Sequence, residues 1–308
     1  VTVSVLYWRT PSEDMRQQTR LATHFATRLF AASCGASQRM CSTSTSGDAS
    51  TAVGHRVTLN GFGVMMESVE KDPFVAGWIE ASTRPGNVCA MEIGCAFGNA
   101  SLAVLRRGGQ HVIANDLDAG HIKALRDTWE KENVALEAAG KPTSKLDTVV
   151  GRVPQVLSGK AMKALPAPTT ILAANVIHFL SPTEQREFFT TLHALAAPGA
   201  SLFVSGDSPW TRAYAPFTKL YTLKRILRHP APGYHAIPPW ARPVLPARLR
   251  QIPCYHVMEE WQLIDVLEEA GWNVEQSGFF AGDPNNPAKV NLDGREMVGA
   301  RAVKIGKP

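Results

Sequence analysis

Short apolar runs alternate with longer amphipathic stretches over most of the chain beyond residue 85. This pattern predicts buried strands separated by helices, which is typical of an α/β fold with a parallel sheet. The predicted strands are Asn87–Ile93, His111–Asn115, Thr148–Val150, Thr170–Asn175 and Ser201–Ser205. The predicted helices between them are Ser101–Arg107, Ala119–Ala139 and Pro182–Ala197.

The end of the chain has a different pattern. A helix is predicted over Glu259–Ala270, followed by two strands, Trp272–Phe279 and Met297–Ile305. A loop rich in Pro and Asn separates these strands, which indicates an antiparallel hairpin.

The pattern at the start of the chain predicts fewer elements of secondary structure. Apolar residues recur at helical spacing over Ser12–Ala32, so a helix is expected there. Residues 33–51 are rich in Ser, Thr and Gly and read as a linker, and residues 60–70 predict a turn and a helix. The expected organisation is an N-terminal extension and linker over residues 1–60, a core over 61–207, an insertion over 208–255 and the rest of the core over 256–308.

A loop of small residues follows the first predicted core strand. Glu92 is followed by Gly94, Ala96 and Gly98, and a helix begins after them. Small residues at a strand-to-helix turn let backbone N–H groups approach a ligand. The spacing differs from the Gly-x-Gly-x-x-Gly of dinucleotide-binding proteins.

An acidic residue ends the second predicted strand. Asp116 lies twenty-two residues after Gly94, where its two carboxylate oxygens can accept hydrogen bonds from a ribose diol. The order strand, loop, helix, strand and acid predicts a cofactor site. On the residues alone, an adenine-nucleotide or nicotinamide site remains an alternative.

The segment Glu-x-Gly-x-Ala-x-Gly resembles the first motif of the class I S-adenosylmethionine-dependent methyltransferases, with Ala96 in place of the middle glycine. Residues 171–180, 192–206 and 268–275 resemble later segments of the same family. The resemblance covers about residues 85–207 and 256–306. It implies a Rossmann-like, mostly parallel sheet with helices on both faces, S-adenosyl-L-methionine as cofactor and S-adenosyl-L-homocysteine as product.

The resemblance also implies which residues hold the cofactor. They are Glu92, Gly94, Cys95, Ala96, Gly98, Asp116, Leu117, Gly151, Arg152, Asn175 and Val176. Arg152 stands where many members carry an acid that contacts the adenine, so backbone N–H groups are the alternative contact for the ring.

Methyl transfer from a sulfonium is an in-line displacement, for which alignment and exclusion of water matter most. His178 follows the fourth core strand and is the first candidate for a general base, with His256 as a second. The alternative is that His178 packs against the cofactor or a loop, and that His256 begins the following helix. The acids of magnesium-dependent members are missing near Asn175, so no metal is expected.

The charge of the insertion stands out. Residues 208–258 contain eight Lys or Arg, nine Pro and no Asp or Glu, whereas the whole chain has a net charge of +5. A helix is expected over Pro216–Arg228. Its predicted apolar face comprises Phe217, Leu220, Tyr221, Leu223 and Leu227, with Lys219, Lys224, Arg225 and Arg228 exposed.

We interpret this insertion as a basic lid over the substrate. Trp210, Tyr214 and Tyr255 are its candidate substrate-binding aromatics. The expected reaction is methylation of O or N of a small, acidic or aromatic metabolite. Alternatives are an RNA methyltransferase, a membrane or protein target for the basic surface, and a non-catalytic cofactor-binding regulatory module.

Composition indicates the cellular compartment in which the protein is expected. The 308-residue chain has five scattered cysteines and no secretory signal pattern at its start, so a reducing, cytoplasmic location is expected. It has no apolar run of eighteen residues. The sequence leaves the oligomeric state open.

Overall fold

The computed structural model describes residues 55–59, 64–66, 69–141, 143–211, 215–237, 252–282 and 292–305. A sheet of seven strands lies at its centre. The core strands are β3 (Ala90–Ile93), β4 (His111–Asp116), β5 (Lys145–Val150), β6 (Thr170–Ala174), β7 (Ser201–Asp207), β10 (Trp272–Phe280) and β11 (Met297–Lys304). Two small hairpins pair β1 (His55–Val57) with β2 (Val64–Met66), and β8 (Tyr234–Ala236) with β9 (Cys254–His256).

Seven helices connect or flank the described strands. They are α1 (Pro73–Thr83), α2 (Asn99–Arg106), α3 (Ala119–Ala138), α4 (Lys160–Lys163), α5 (Pro182–Leu195), α6 (Ala215–Ile226) and α7 (Glu260–Glu269). Single 3₁₀ turns occur at Val69–Lys71, Gln155–Ser158 and Ile177–Phe179.

The strand order across the sheet is β10-β11-β7-β6-β3-β4-β5. Strands β3 to β7 pair in parallel, while β11 runs antiparallel to both β7 and β10. The predicted Rossmann-like α/β fold, with its mostly parallel sheet and C-terminal antiparallel hairpin, is therefore confirmed.

Alternate residues of the central strands face two separate hydrophobic cores. In β4, Ile113 joins the core with Phe188, Leu192 and other residues of α5 and α7, while Val112 joins the core with α1, α2 and α3. Because both faces of the sheet are covered, the strands read as continuous apolar runs. Helices on both faces are confirmed by these two cores.

The helix starts follow local chemistry. The Asp72 carboxylate accepts hydrogen bonds from the N–H groups of Phe74 (2.8 Å) and Val75 (3.2 Å), and Pro73 occupies the first position of α1. Helix α5 begins with a capping box between Ser181 and Glu184.

Two expectations about local structure need correction. Residues 60–70 were expected to form a turn and a helix, but the described part forms β2 and a 3₁₀ turn, and the helix α1 starts only at Pro73. His256 was expected to begin a helix under one interpretation, but it ends β9 and α7 starts at Glu260.

The orientation of α6 is also a correction. Tyr221 is fully buried, as predicted for the apolar face, but Leu223 and Leu227 are exposed. Lys224, expected to be exposed, is half-buried and donates to the Tyr234 carbonyl oxygen, whereas Lys219, Arg225 and Arg228 are exposed as predicted.

Some expectations lie outside the described residues. The helix over Ser12–Ala32, the linker over residues 33–51 and most of the Pro-rich segment over 238–251 remain predictions, as does the division into domains. Across the part of the chain that the structure describes, no helix combines the length and hydropathy needed to span a bilayer.

Candidate active site

The described residues enclose a cavity of about 500 Å³ at the carboxyl ends of β3, β4 and β6. The chain runs from β3 outward through β4 and β5, then returns to the other side of β3 to form β6 and β7. In parallel sheets, ligands bind at such a reversal of strand order. Ten of the eleven predicted cofactor residues line this cavity, and Gly98 does not.

The loop after β3 depends on two glycines. Gly94 has a φ of +70°, and a Cβ there would lie 2.3 Å from Cγ2 of Val176. Gly98 has a φ of +76°, and its Cβ would lie 2.4 Å from Cδ1 of Leu125 in α3. Gly94 therefore keeps the loop close to the segment after β6, whereas Gly98 allows close packing behind the cavity wall.

Ala96 adopts the left-handed conformation that glycine would favour, with a φ of +45°. This geometry costs a non-glycine residue roughly 1–2 kcal/mol. The Ala96 N–H donates a hydrogen bond of 2.8 Å to Oδ2 of Asp116. The carboxylate that ends β4 is thus tied directly to the loop after β3.

The other oxygen of Asp116 organises the chain around it. Its Oδ1 accepts from the N–H of Asp118 at 2.8 Å and lies 3.0 Å from Nδ1 of His121. Nε2 of His121 accepts from the N–H of Leu59 at 2.8 Å, so the tautomer with hydrogen on Nδ1 satisfies both contacts. Oδ1 therefore accepts two hydrogen bonds and Oδ2 one, so of the about four lone-pair sites of a carboxylate one remains, on Oδ2, for a ligand hydroxyl.

Glu92 is buried beneath the loop. Its Oε2 accepts from the N–H of Ser101 at 2.9 Å and from the Ser101 hydroxyl, and so supplies the cap that Gly98 cannot give to α2. Burial raises the pKa of Glu92 to about 7; the Ser101 hydrogen bonds oppose this rise, and the charge of Asp116 adds to it.

A second wall comes from the loop after β5. Asn115 donates from Nδ2 to the carbonyl oxygens of Val149 (2.9 Å) and Gly151 (3.1 Å), which fixes this loop beside β4. Arg152 lines the cavity and forms an ion pair of 3.0 Å with Glu184. Its guanidinium is thus held at the wall by the first turn of α5.

The third wall follows β6. Asn175 has a φ of +58°, a conformation that Asn tolerates better than most residues, and its N–H donates to the carbonyl oxygen of Ser205 at 2.9 Å. Val176, Phe179 and Leu180 continue this wall. It is mainly apolar and lies next to the inserted segment.

The sequence analysis did not predict several residues that line the cavity. Ile252 and Pro253 precede β9 and line the cavity from the inserted segment. Asp72 lines it from the start of α1, and its Oδ2 accepts from the hydroxyl of Ser205 at 2.6 Å. Burial raises the pKa of Asp72, and these hydrogen bonds oppose the rise. The Asp-Pro pair was a readable signal for a helix start, though not for a place on the cavity.

His178 lies behind this cavity rather than among its lining residues. The ring is buried, with its centroid 5.0 Å from that of Tyr255, and the Tyr255 hydroxyl donates to Asp207. Burial lowers the pKa of His178, and the charge of Asp207 opposes this shift. The structure therefore brings together two predicted site residues, His178 and Tyr255, with the carboxylate that ends β7.

The remaining predicted residues lie elsewhere. His256 packs against Tyr234, with ring centroids 5.8 Å apart, and burial lowers its pKa to about 4. Trp210 packs edge-on against Tyr221, and the Arg295 guanidinium lies 4.8 Å from its ring centroid. Neither residue lines the cavity, and Tyr214 lies outside the described residues.

Comparison with solved structures found the following similarities. A solved S-adenosylmethionine-dependent methyltransferase from Methanosarcina mazei is similar over 74% of this chain and 98% of its own, at 14% identity and a TM-score of 0.52. TehB from Haemophilus influenzae matches over 74% of this chain and 62% of its own, at 13% identity and a TM-score of 0.47. Magnesium protoporphyrin IX methyltransferase from Synechocystis, solved with bound SAH, matches over 76% of this chain and 81% of its own, at 15% identity and a TM-score of 0.45.

No family model and no curated protein matches the sequence. The first of these similarities agrees with the sheet order, the antiparallel hairpin and the position of the cavity at the reversal of strand order. The chain therefore has the fold of the class I S-adenosylmethionine-dependent methyltransferases.

Proposed function

We propose that the protein is a methyltransferase that moves the methyl group of S-adenosylmethionine to an oxygen or nitrogen of a small molecule. One observation carries this proposal. At the reversal of strand order in a methyltransferase sheet, the Gly94-containing loop is hydrogen-bonded through Ala96 to the carboxylate of Asp116. This arrangement offers a close backbone approach beside an acceptor for a ribose hydroxyl.

The residues present fit S-adenosylmethionine. Oδ2 of Asp116 retains acceptor capacity for a ribose hydroxyl, and the absence of a side chain at Gly94 lets the loop after β3 lie against Val176. Gly151 and Arg152 form the wall beside β5, on the side predicted for the adenine. The bound cofactor supplies an electrophilic methyl group, and the protein supplies binding, orientation and exclusion of water.

The acceptor end of the cavity is the wall formed by Asn175, Val176, Phe179, Ile252 and Pro253. Apolar groups there remove water from the reacting atoms and hold the acceptor in line with the methyl group. A cavity of about 500 Å³ has the size of a small-molecule site. We therefore place a small acceptor, acidic or aromatic, ahead of RNA.

Two groups are candidates for taking the acceptor proton. Asp72 reaches the cavity directly, and burial raises its pKa. His178 does not line the cavity; its ring packs 4.1 Å from that of the lining residue Phe179, within the cluster of His178, Tyr255 and Asp207. We assign the role of base to Asp72 if the acceptor needs deprotonation, and a positioning role to His178.

Calorimetric titration with S-adenosylmethionine tests the donor. The wild type is expected to bind with a micromolar Kd, and Asp116→Ala to bind at least about tenfold more weakly through loss of the ribose hydrogen bonds. The matched control is Asp127→Ala, because Asp127 lies on the exposed side of α3, where its carboxylate pairs with the exposed Lys123. Preference for NADH over S-adenosylmethionine would contradict the proposal.

A screen of methyl acceptors tests the proposed reaction and the roles of Asp72 and His178. Turnover on a panel of acidic and aromatic small molecules, lost in Asp72→Asn and retained at a reduced rate in His178→Ala, is the expected result. Methylation of RNA with steeply salt-dependent binding would favour the RNA alternative. Cofactor binding without turnover on either panel would favour a regulatory module.

A further inference from the structure

Helix α6 is inverted relative to an ordinary surface helix. Leu223 and Ile226 of this helix and Leu227 in the turn directly after it are 52%, 71% and 70% exposed, although all three side chains are strongly apolar. Their spacing of three and four residues places them side by side on one face. Tyr221 lies on the opposite face and is fully buried.

The cations of α6 explain this inversion. Lys224 donates from Nζ to the carbonyl oxygen of Tyr234 at 3.1 Å, and Arg225 pairs with Glu259 at 3.0 Å. Both residues therefore hold the helix against β8 and the start of α7. Lys224 is half-buried and Arg225 lies at the edge of the contact with its side chain 51% exposed, and Leu223, Ile226 and Leu227 are left on the outer face.

The rim of the outer face is cationic. Lys219 lies one turn before Leu223, and Arg228 directly follows Leu227; both are exposed. Residues 208–258 contain no Asp or Glu at all, so the inserted segment supplies no acidic side chain to this rim. An apolar patch flanked by these two cations is complementary to a surface of acyl chains and anionic headgroups.

We propose that the outer face of α6, formed by Leu223, Ile226 and Leu227 with Lys219 and Arg228, docks on an anionic phospholipid surface. The three apolar side chains enter the boundary between headgroups and acyl chains, and the two cations contact lipid phosphates. A symmetric pairing of two copies through this face would bring Lys219 and Arg228 against themselves, which disfavours a dimer. This inference is independent of the proposed methyl transfer.

Vesicle cosedimentation of the full chain tests the proposal. Vesicles with about one third phosphatidylglycerol in phosphatidylcholine are expected to bind the protein at least tenfold more strongly than vesicles of phosphatidylcholine alone. The combined variant Leu223→Gln, Ile226→Gln, Leu227→Gln is expected to lose at least tenfold in partitioning. Lys219→Glu with Arg228→Glu is expected to lose binding and most of its salt dependence.

The matched control is Val134→Gln. Val134 is a 60% exposed apolar residue on α3, so it tests whether any exposed aliphatic side chain drives binding. This variant is expected to partition like the wild type. Circular dichroism melts of all variants exclude unfolding as the cause, because none of the substituted side chains is buried.

Several results would overturn the proposal. These are equal binding to both vesicle types, no binding to either, or unchanged binding of the three-residue variant. A concentration-dependent dimer that the same variant abolishes, without vesicle binding, would assign this face to self-association instead.

Discussion

Apolar side chains of the central sheet are buried, whereas several of those in the inserted segment are exposed. In the sheet, alternate strand residues enter one of two cores that helices cover on both faces. In the insertion, α6 turns leucines outward and uses Lys224 and Arg225 to hold itself in place. An apolar pattern therefore predicts the buried face only where a large surface is available to cover it.

Buried polar groups differ between the same two regions. Glu92, beneath the cavity loop, accepts two hydrogen bonds from Ser101, and its pKa is raised to about 7. His256, in the small β8–β9 sheet, has no hydrogen-bond partner for either ring nitrogen within the described ranges, and its pKa is lowered to about 4. The two regions should therefore respond oppositely to pH.

A matched pair of leucines gives the largest expected contrast. Leu192→Ala in α5 is expected to lower the free energy of unfolding by about 3 kcal/mol, because this fully buried side chain leaves a cavity in the core. Leu227→Ala should change it by less than about 0.5 kcal/mol. Urea unfolding followed by circular dichroism measures both, and equal losses would mean that the outer face of α6 is covered in solution.

Lowering the pH is expected to destabilise the β8–β9 sheet, by less than Leu192→Ala destabilises the core. Burial lowers the pKa of His256 below its ordinary value, so the folded form binds its proton less readily than the unfolded chain does. The resulting loss of stability begins as pH falls through about 6.5 and grows down to about 4. It amounts to about 2 kcal/mol at pH 5. Burial lowers the pKa of His235 to about 2 and acts in the same direction.

Amide hydrogen exchange at β8 and β9, corrected for intrinsic rates, measures this effect at pH 7 and pH 5. His256→Phe should remove about 2 kcal/mol of the pH dependence while leaving that of His235. An acid response identical in wild type and variant would show that His256 already has a proton acceptor in solution.

The smallest expected effect concerns the cofactor. A cationic ligand favours the charged form of Glu92, so the affinity for S-adenosylmethionine should rise with pH across the pKa of about 7. If only the carboxylate form binds, the gain is about tenfold between pH 6 and pH 8, or about 1.4 kcal/mol. Calorimetric titration measures it, and Glu92→Gln should flatten the profile. A wild-type profile that is already flat would remove Glu92 from the binding equilibrium.

The sequence predicted most of what depends on neighbours along the chain. Short apolar runs located every strand of the central sheet within a few residues, and the spacing of Gly94, Ala96 and Asp116 located one end of the cavity. These signals are local, because a strand that is buried on both faces appears in the sequence as one continuous apolar run.

What the sequence missed depends on contacts between distant segments. Asp72 reaches the cavity because α1 packs across β6 and β7, and its bond to Ser205 joins residues 133 positions apart. His178 carried the expected residue type at the expected place, yet the turn after β6 directs it toward Tyr255. Neither placement leaves a trace in periodicity or spacing.

The imidazole of His121 bonds to both Asp116 and the N–H of Leu59. A ligand that hydrogen-bonds to Asp116 is therefore connected, through Asp116 and His121, to the segment around Leu59, which precedes the central sheet in the sequence. By thermodynamic reciprocity, a ligand that stabilises this chain lowers the equilibrium constant for opening of the segment by the factor that the closed segment adds to the ligand's affinity. The amide proton of Leu59 thus becomes a built-in reporter of occupancy, readable without a substrate.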